Sequence, residues 1–267
     1  MNLNDVRQQT INLGLKLLYP FLYFGTWNKD KILFKIDEST VFEVRVGTAD
    51  KFVILESWNQ LYDGDNFAIN PDDIVVDIGA HIGAFSVYAA RKATKGKIYS
   101  YEPHKTNYEQ LLKNKSLNNC ENIYTYNFAV SGKKGFCTLF ISKTNTGGNS
   151  IYKLVDANAE LKVPAVTIAD IFNDNKLKRI DFLKIDVEGA EYDIVLKTPP
   201  KILKKIDKIS MEFHDYLSHG HDVSEIRDYL EKNGFAVKIY SSMVQRFLKV
   251  GVLKASRLKR TNGNQFY

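Results

Sequence analysis

Cysteine is scarce: only Cys120 and Cys137 occur, and they form no C-x-x-C pair. That argues against a zinc ribbon and against a disulfide framework, so a reducing compartment, the cytoplasm, is the expected setting. Long apolar runs are missing too. The best candidate, residues 11–27, is interrupted by Lys16 and Pro20 and is short for a bilayer span. It reads as a helix packed on the core, with peripheral membrane docking as the sharper alternative. The opening residues Asn, Asp, Arg and Gln lack the basic start of a secretory signal. There are no internal repeats, no long low-complexity tract and no aromatic-studded nucleic-acid module. Neither sign of charge is scarce: 37 Lys and Arg against 31 Asp and Glu leave +6. Such a balance permits contact with phosphates, anionic glycans or membrane surfaces and selects none of them.

What is present is enough for one substantial core: 267 residues, 44% of them hydrophobic. Residues 1–70 read as an N-terminal helix and a β extension packed on that core, with strands at 31–36 and 41–46. Asn70-Pro71-Asp72-Asp73 is a turn signal, and the pattern then changes over residues 71–267. Short apolar runs at 74–78, 97–101, 123–128, 179–186 and 208–213 predict strands buried on both faces. Between them, helical spacing covers 82–93, 105–117, 190–197 and 223–232. Thr167 is placed to cap a short helix through Phe172. Pro199 and Pro200 stop the helix before them, and Asn233-Gly234 ends the one at 223–232. Residues 136–162 are less regular and suit a hairpin or insertion, with 145–150 as a flexible loop. Strands at 235–240 and 247–253 are expected to close the sheet as an antiparallel pair. The class is α/β: a mostly parallel, doubly wound, seven-stranded sheet with an antiparallel C-terminal strand.

The chemistry-bearing residues gather at predicted strand ends. Asp77 closes the first strand and Gly79 and Gly83 follow, where backbone freedom lets a ligand approach the main chain. A nicotinamide dinucleotide site wants G-x-G-x-x-G; this chain reads G-A-H-I-G-A and fails at His81 and Ala84. The acid at Asp77 repels pyrophosphate but tolerates a cationic ligand. Glu102, in Tyr101-Glu102-Pro103, lies 23 residues after Gly79, where a carboxylate can accept both ribose hydroxyls. Lys184 and Asp186 sit two apart on one strand and face the same side. Charges there are costly unless paired, and become intelligible beside a ligand pocket. Gly189 gives the turn, and Glu188 and Glu191 flank the next helix; a simple helix-start charge effect is the bland alternative. Glu212 and His214 share a face at the end of the following strand, and His214 is a candidate base or a hydrogen-bonded structural histidine. His219 and His221 are oddly spaced in a glycine-containing loop, so no metal is assigned.

Together these residues resemble the FkbM-type family, a branch of the Rossmann-like methyltransferases, from about Ile74 to His214. The motifs are Val-Val-Asp-Ile-Gly-Ala-His-Ile-Gly-Ala-Phe-Ser, Tyr-Glu-Pro-His, Asn127-Phe-Ala-Val, Leu-Lys-Ile-Asp-Val-Glu-Gly-Ala-Glu and Glu-Phe-His. The resemblance implies S-adenosylmethionine as cofactor. It places Asp77, Gly79, Ala80, His81 and Gly83, with the adjoining Phe85 and Ser86, around the methionine part, and Glu102 with Pro103 at the ribose. Asn127 and Ala129 border the adenine, and Asp186 with Glu188 lies near the transferred methyl group. His81 stands where the family more often has Asn. The implied reaction is O-methylation of a sugar, glycan or secondary-metabolite hydroxyl. The expected catalytic set is Asp186, His214, Glu188, Glu191 and Lys184, with His214 or Asp186 as base and the two glutamates orienting the acceptor. The rivals are an RNA methyltransferase using the basic C-terminal face, a nicotinamide oxidoreductase and a cofactor-binding protein without catalysis. Oligomeric state is not legible.

Overall fold

The central sheet is explained by alternation along its strands. In β3 (Ile74–Ile78), Val75 points to one side, and Val76 and Ile78 to the other; all three are buried. In β9 (Ile180–Ile185), Phe182 joins Val75 while Leu183 and Ile185 join Val76 and Ile78. Period-two side chains with apolar residues on both faces need a covering layer on each side. The structure is a computed structural model that describes residues 31–64, 67–142, 157–217 and 220–258. The expected N-terminal helix, the 11–27 segment, the 145–150 loop and His219 lie outside the described residues.

The chain enters through an antiparallel hairpin, β1 (Lys31–Lys35) and β2 (Val41–Arg45), followed by α1 (Asp50–Trp58). After β3 come α2 (Ala84–Lys92), β4 (Lys97–Tyr101), α3 (Lys105–Leu117) and β5 (Ile123–Tyr126). A small three-stranded sheet interrupts: β6 (Ala129–Val130), β7 (Gly135–Ser142) and β8 (Ala157–Val166), with β7 and β8 forming the expected hairpin. α4 (Ile168–Asp174) starts at Thr167, whose hydroxyl accepts from the Asp170 N–H while Asp170 bonds back, a complete capping box. Then follow β9, α5 (Glu191–Leu196), α6 (Pro200–Leu203), β10 (Ile206–His214), α7 (Val223–Lys232), β11 (Phe235–Tyr240), α8 (Met243–Phe247) and β12 (Val250–Arg257).

The seven strands order as β11-β12-β10-β9-β3-β4-β5, and β12 runs antiparallel to both neighbours. One face carries the hairpin, α1 and α2, where Phe42, Val44 and Ile54 share a core with Val75, Val87 and Phe182. The other face carries α4, α5, α6 and α7 through Ile168, Tyr192, Leu203 and Ile226. Each such buried side chain contributes about 1.5–3 kcal/mol.

Three elements differ from the expectation. Residues 50–58 form α1, which the sequence did not announce. Pro200 does not only stop a helix: it sits at the first position of α6, where its missing N–H costs nothing. Strand β12 starts at Val250 rather than 247, because Ser242 and Gln245 make a capping box that folds Met243–Phe247 into α8. Among the described residues no helix is long and apolar enough to cross a membrane.

Candidate active site

Four strands, β3, β4, β9 and β10, deliver their carboxyl ends to one rim. The loop after β3 is pinned there by its backbone: the N–H groups of Gly79 and Ala80 both donate to the Tyr101 carbonyl. The Asp186 N–H donates to the Ile78 carbonyl, so the ends of β3 and β9 touch. Gly79 has φ +79°, and a Cβ there would stand 1.8 Å from the Asp186 carbonyl oxygen. Gly83, at φ +83°, caps α2 from the left-handed region. Gly79→Ala is therefore expected to destabilise the fold by at least ~2 kcal/mol, through strain and overpacking together; urea unfolding of the variant checks it.

Between these ends lies a cleft of roughly 680 Å³ including its open mouth. Gly79, His81, Glu102, Pro103, Ala129, Asp186 and Glu188 border it. Asp77, Ala80, Gly83, Phe85, Ser86 and Asn127 were also expected around a cofactor, but they do not line it. Asp77 is fully buried below it, accepting from the Ser86 hydroxyl at 2.6 Å and facing Lys184 at 3.2 Å. Phe85 lies under the Lys184 ammonium. The Asn127 amide donates to the carbonyls of Glu102 and Pro103, bracing that turn.

Glu102 is fixed by the main chain. Its two oxygens accept the N–H groups of His81 and His104, each at 2.8 Å. Burial pushes its carboxyl up to about 7 in spite of those two bonds. His81 is held at φ +50° and buried, and neither ring nitrogen has a hydrogen-bond partner. Burial drives its imidazole down to about 4, although Asp50 lies 3.9 Å away. Its ring thus stands beside the cleft as a buried polar group without a hydrogen-bond partner.

Lys184 is the cation at the centre. Its ammonium donates to the Gly79 carbonyl at 2.8 Å and lies 3.2 Å from Asp77 and 3.3 Å from Asp186. Burial works against its charge, but the two carboxylates outweigh that and hold it above its ordinary value. Asp186 also accepts the Tyr62 hydroxyl at 2.9 Å. Burial would raise Asp186, yet Lys184 and His214 keep it below the usual range.

His214 sits between two carboxylates. Its Nδ1 is 2.7 Å from Glu191, and its Nε2 is 3.4 Å from Glu188. Burial would lower the ring, but Glu188 and Glu191 raise it well above the ordinary histidine range. A carboxylate faces each ring nitrogen and the ring does not border the cleft, so His214 is held between Glu188 and Glu191. Glu191, fully buried, is the far side of that arrangement rather than a contact for an acceptor. Glu188 is the member that reaches the cleft, with a side chain 20% exposed and a backbone at φ +50°. Burial pushes its carboxyl up to about 7 despite the neighbouring imidazolium.

Several contributors escaped the sequence. Tyr62 comes from the connection after α1 and meets Asp186 across 124 residues. Val53 of α1, Asn107 of α3 and Leu139 of β7 also border the cleft. Arg45 makes a two-pronged pair with Asp50 and donates to Asn107, tying the hairpin to the start of α3 beside His81. Nothing in a local pattern signals these meetings. Among the described residues no group of three or more His, Cys, Asp or Glu is arranged to hold a metal.

The cleft thus presents Glu102, Asp186 and Glu188, while the cations Lys184 and His214 stand behind them. Such a lining accepts a ligand with hydroxyls and a positive centre. Comparison with known proteins gives a consistent picture. The family described as the Methyltransferase FkbM domain matches residues 77–237. The chain is 27% identical to Methyltransferase 1 of Beauveria bassiana over 189 residues, covering 63% of this chain and 75% of that protein. It is 30% identical to Methyltransferase sdnD of Sordaria araneosa over 164 residues, 50% of this chain and 62% of that one. It also matches AMB antimetabolite synthetase AmbE of Pseudomonas aeruginosa, at 25% identity over 68% of this chain, but spans only 10% of that protein's length.

Proposed function

Since this chain belongs to the FkbM methyltransferase family, we propose that it transfers a methyl group from S-adenosylmethionine to a hydroxyl of a sugar, glycan or secondary metabolite. S-adenosylmethionine supplies the methyl group on a sulfonium centre. The observation that carries the reading is Glu102: a carboxylate set into the cleft by two backbone N–H groups, where it can accept a ribose hydroxyl. The unpartnered His81 ring and the turn at Gly79 suit the polar methionine end, and Asp186 suits the neighbourhood of the positive centre. Pro103 and Ala129 offer apolar surface further along.

A hydroxyl acceptor must lose a proton as it is methylated, and a base must stand within reach. Glu188 meets that need better than His214 or Asp186. It borders the cleft, and its carboxyl titrates near neutrality. Asp186 is too acidic, with Lys184 and Tyr62 already upon it. In this reading His214 and Glu191 are positioning residues for Glu188.

Calorimetric titration with S-adenosylmethionine and with its demethylated product tests the assignment; no heat with either would sink it. Glu102→Ala is expected to weaken binding at least tenfold. The pH dependence has a definite sign. Glu102 must be ionised to accept a ribose hydroxyl, and its carboxyl sits at about 7. The dissociation constant should be flat above pH 8 and rise towards tenfold per unit as pH falls below 7, and this slope should vanish in Glu102→Gln.

A further inference from the structure

After Glu231 the sequence contains no Asp or Glu, while eight Lys and Arg residues follow. This one-signed segment contains the most exposed large apolar side chains of the described structure. In α8, Met243 is 89% and Phe247 87% exposed; Val244 beside them and Leu248 at its end are exposed as well. Met243 and Phe247 are four apart and share one helical stripe, with Val244 and Leu248 on the next. The helix is short yet capped at both strands of its box: the Gln245 N–H donates to Ser242, and Ser242 N–H donates to the Gln245 side chain. The Lys249 carbonyl, just beyond, accepts the Asp215 N–H. The apolar side chains are therefore presented by fixed backbone. Arg246 within α8 and Lys249 just after it are exposed, as is Lys238 on β11, which leads into the helix. Lys254 and Arg257, farther along, are turned into the fold, over Phe67 and against the Leu203 and Ile206 carbonyls.

We infer that α8 and its flanking cations form a docking surface for an anionic phospholipid bilayer. Exposed aromatic and aliphatic side chains at a protruding turn enter the interface between headgroups and acyl chains, while lysine and arginine stay at headgroup level. Each cation near such a surface is attracted by its negative potential. Exposed cations beside an exposed apolar stripe, with Asp222 near Lys249 as a neighbouring acid, suit a diffuse anionic surface. The location adds a consequence. Val250, which follows the helix, pairs with His214, so α8 and Glu188 occupy the same rim of the sheet. A protein docked through α8 turns the mouth of the cleft toward the lipid, and its methyl acceptor is then membrane-borne. That last step rests on the methyltransferase reading; the docking does not.

The test is sedimentation of the full chain with vesicles of phosphatidylcholine alone and with 30% phosphatidylserine, at low and at high salt. The expected result is binding that needs phosphatidylserine and weakens with salt. Phe247→Glu together with Met243→Ser should lower the partition coefficient about tenfold or more, as should Lys238→Glu with Arg246→Glu. Both variants should keep the wild-type melting temperature and the wild-type affinity for S-adenosylmethionine. Absence of binding to either vesicle overturns the inference. So does binding indifferent to the α8 substitutions, and so does self-association of the chain that those substitutions abolish. Loss of S-adenosylmethionine binding by the wild-type chain would instead strike the catalytic reading and leave the docking result standing.

Discussion

Lys184→Met is expected to destabilise the protein by about 3–5 kcal/mol, because it leaves the fully buried Asp77 and the partly buried Asp186 facing each other without a cation. The chain has placed Asp77 and Asp186 on opposite sides of one ammonium. Removing that ammonium leaves Asp77 with only the Ser86 hydroxyl and drives one of the two acids to take up a proton. The Gly79 carbonyl loses its donor at the same time, and Gly79 is where the loop turns toward the cleft. The loss should therefore appear twice: as a lower urea midpoint and as weaker binding of S-adenosylmethionine. A double variant, Lys184→Met with Asp77→Asn, separates the causes. Deleting the stranded charge should return a good part of the stability while the affinity stays low, since the Gly79 carbonyl is still without its partner. Equal recovery of both would show that Lys184 acts only as a counterion. Unchanged stability in Lys184→Met would refute the picture of a compulsory buried pair.

That same cluster shows what a sequence can and cannot disclose. Lys184 and Asp186 announce their companionship, since alternate residues of a strand share a face and charges inside an apolar run ask for partners. The order of strands, helices and turns around them was legible for the same reason: buried strands read as short apolar runs, and a capping residue such as Thr167 marks a helix start. Helix α1 was not legible. It has buried side chains at Asp50, Ile54 and Ser57, one charged and one polar, and so offers no clean apolar stripe. Strand β12 was misjudged at its start because Phe247 and Leu248 extend its apolar run, while the capping box that turns them into a helix is a hydrogen-bond signal. At the site, residue types were readable and pairings were not. Tyr62 is absent from any motif because its meaning depends on Asp186, far along the chain. His214 looked like a base because a lone histidine at a strand end usually can be one. Two glutamates, 23 and 26 residues earlier, come to face its two nitrogens only once the strands and turns are folded together.

In the proposed reading the base is Glu188, and Glu188→Gln carries the second large expectation. With an acceptor identified by mass shift, this variant should bind S-adenosylmethionine normally and lose about 10²–10⁴ in kcat, the usual range for a missing general base. Its pH profile is the sharper reading. In the wild type, burial sets the Glu188 carboxyl at about 7, so the base is present above that pH and is lost below it. With S-adenosylmethionine saturating at every pH, kcat should rise through pH 7 and level off; in Glu188→Gln the residual kcat should show no such limb. His214→Gln offers an independent check with the opposite emphasis. The imidazolium lowers the Glu188 carboxyl, so removing its charge should raise that carboxyl and move the limb to higher pH. The variant should retain some turnover once the medium is alkaline enough. It should also be less stable, because Glu191 is fully buried and loses its 2.7 Å partner. If His214 were itself the base, its replacement would erase the limb instead of shifting it. A limb that stays at pH 7 in both variants would assign the proton to another group, and Asp186, held acidic by Lys184, would be a poor choice for it.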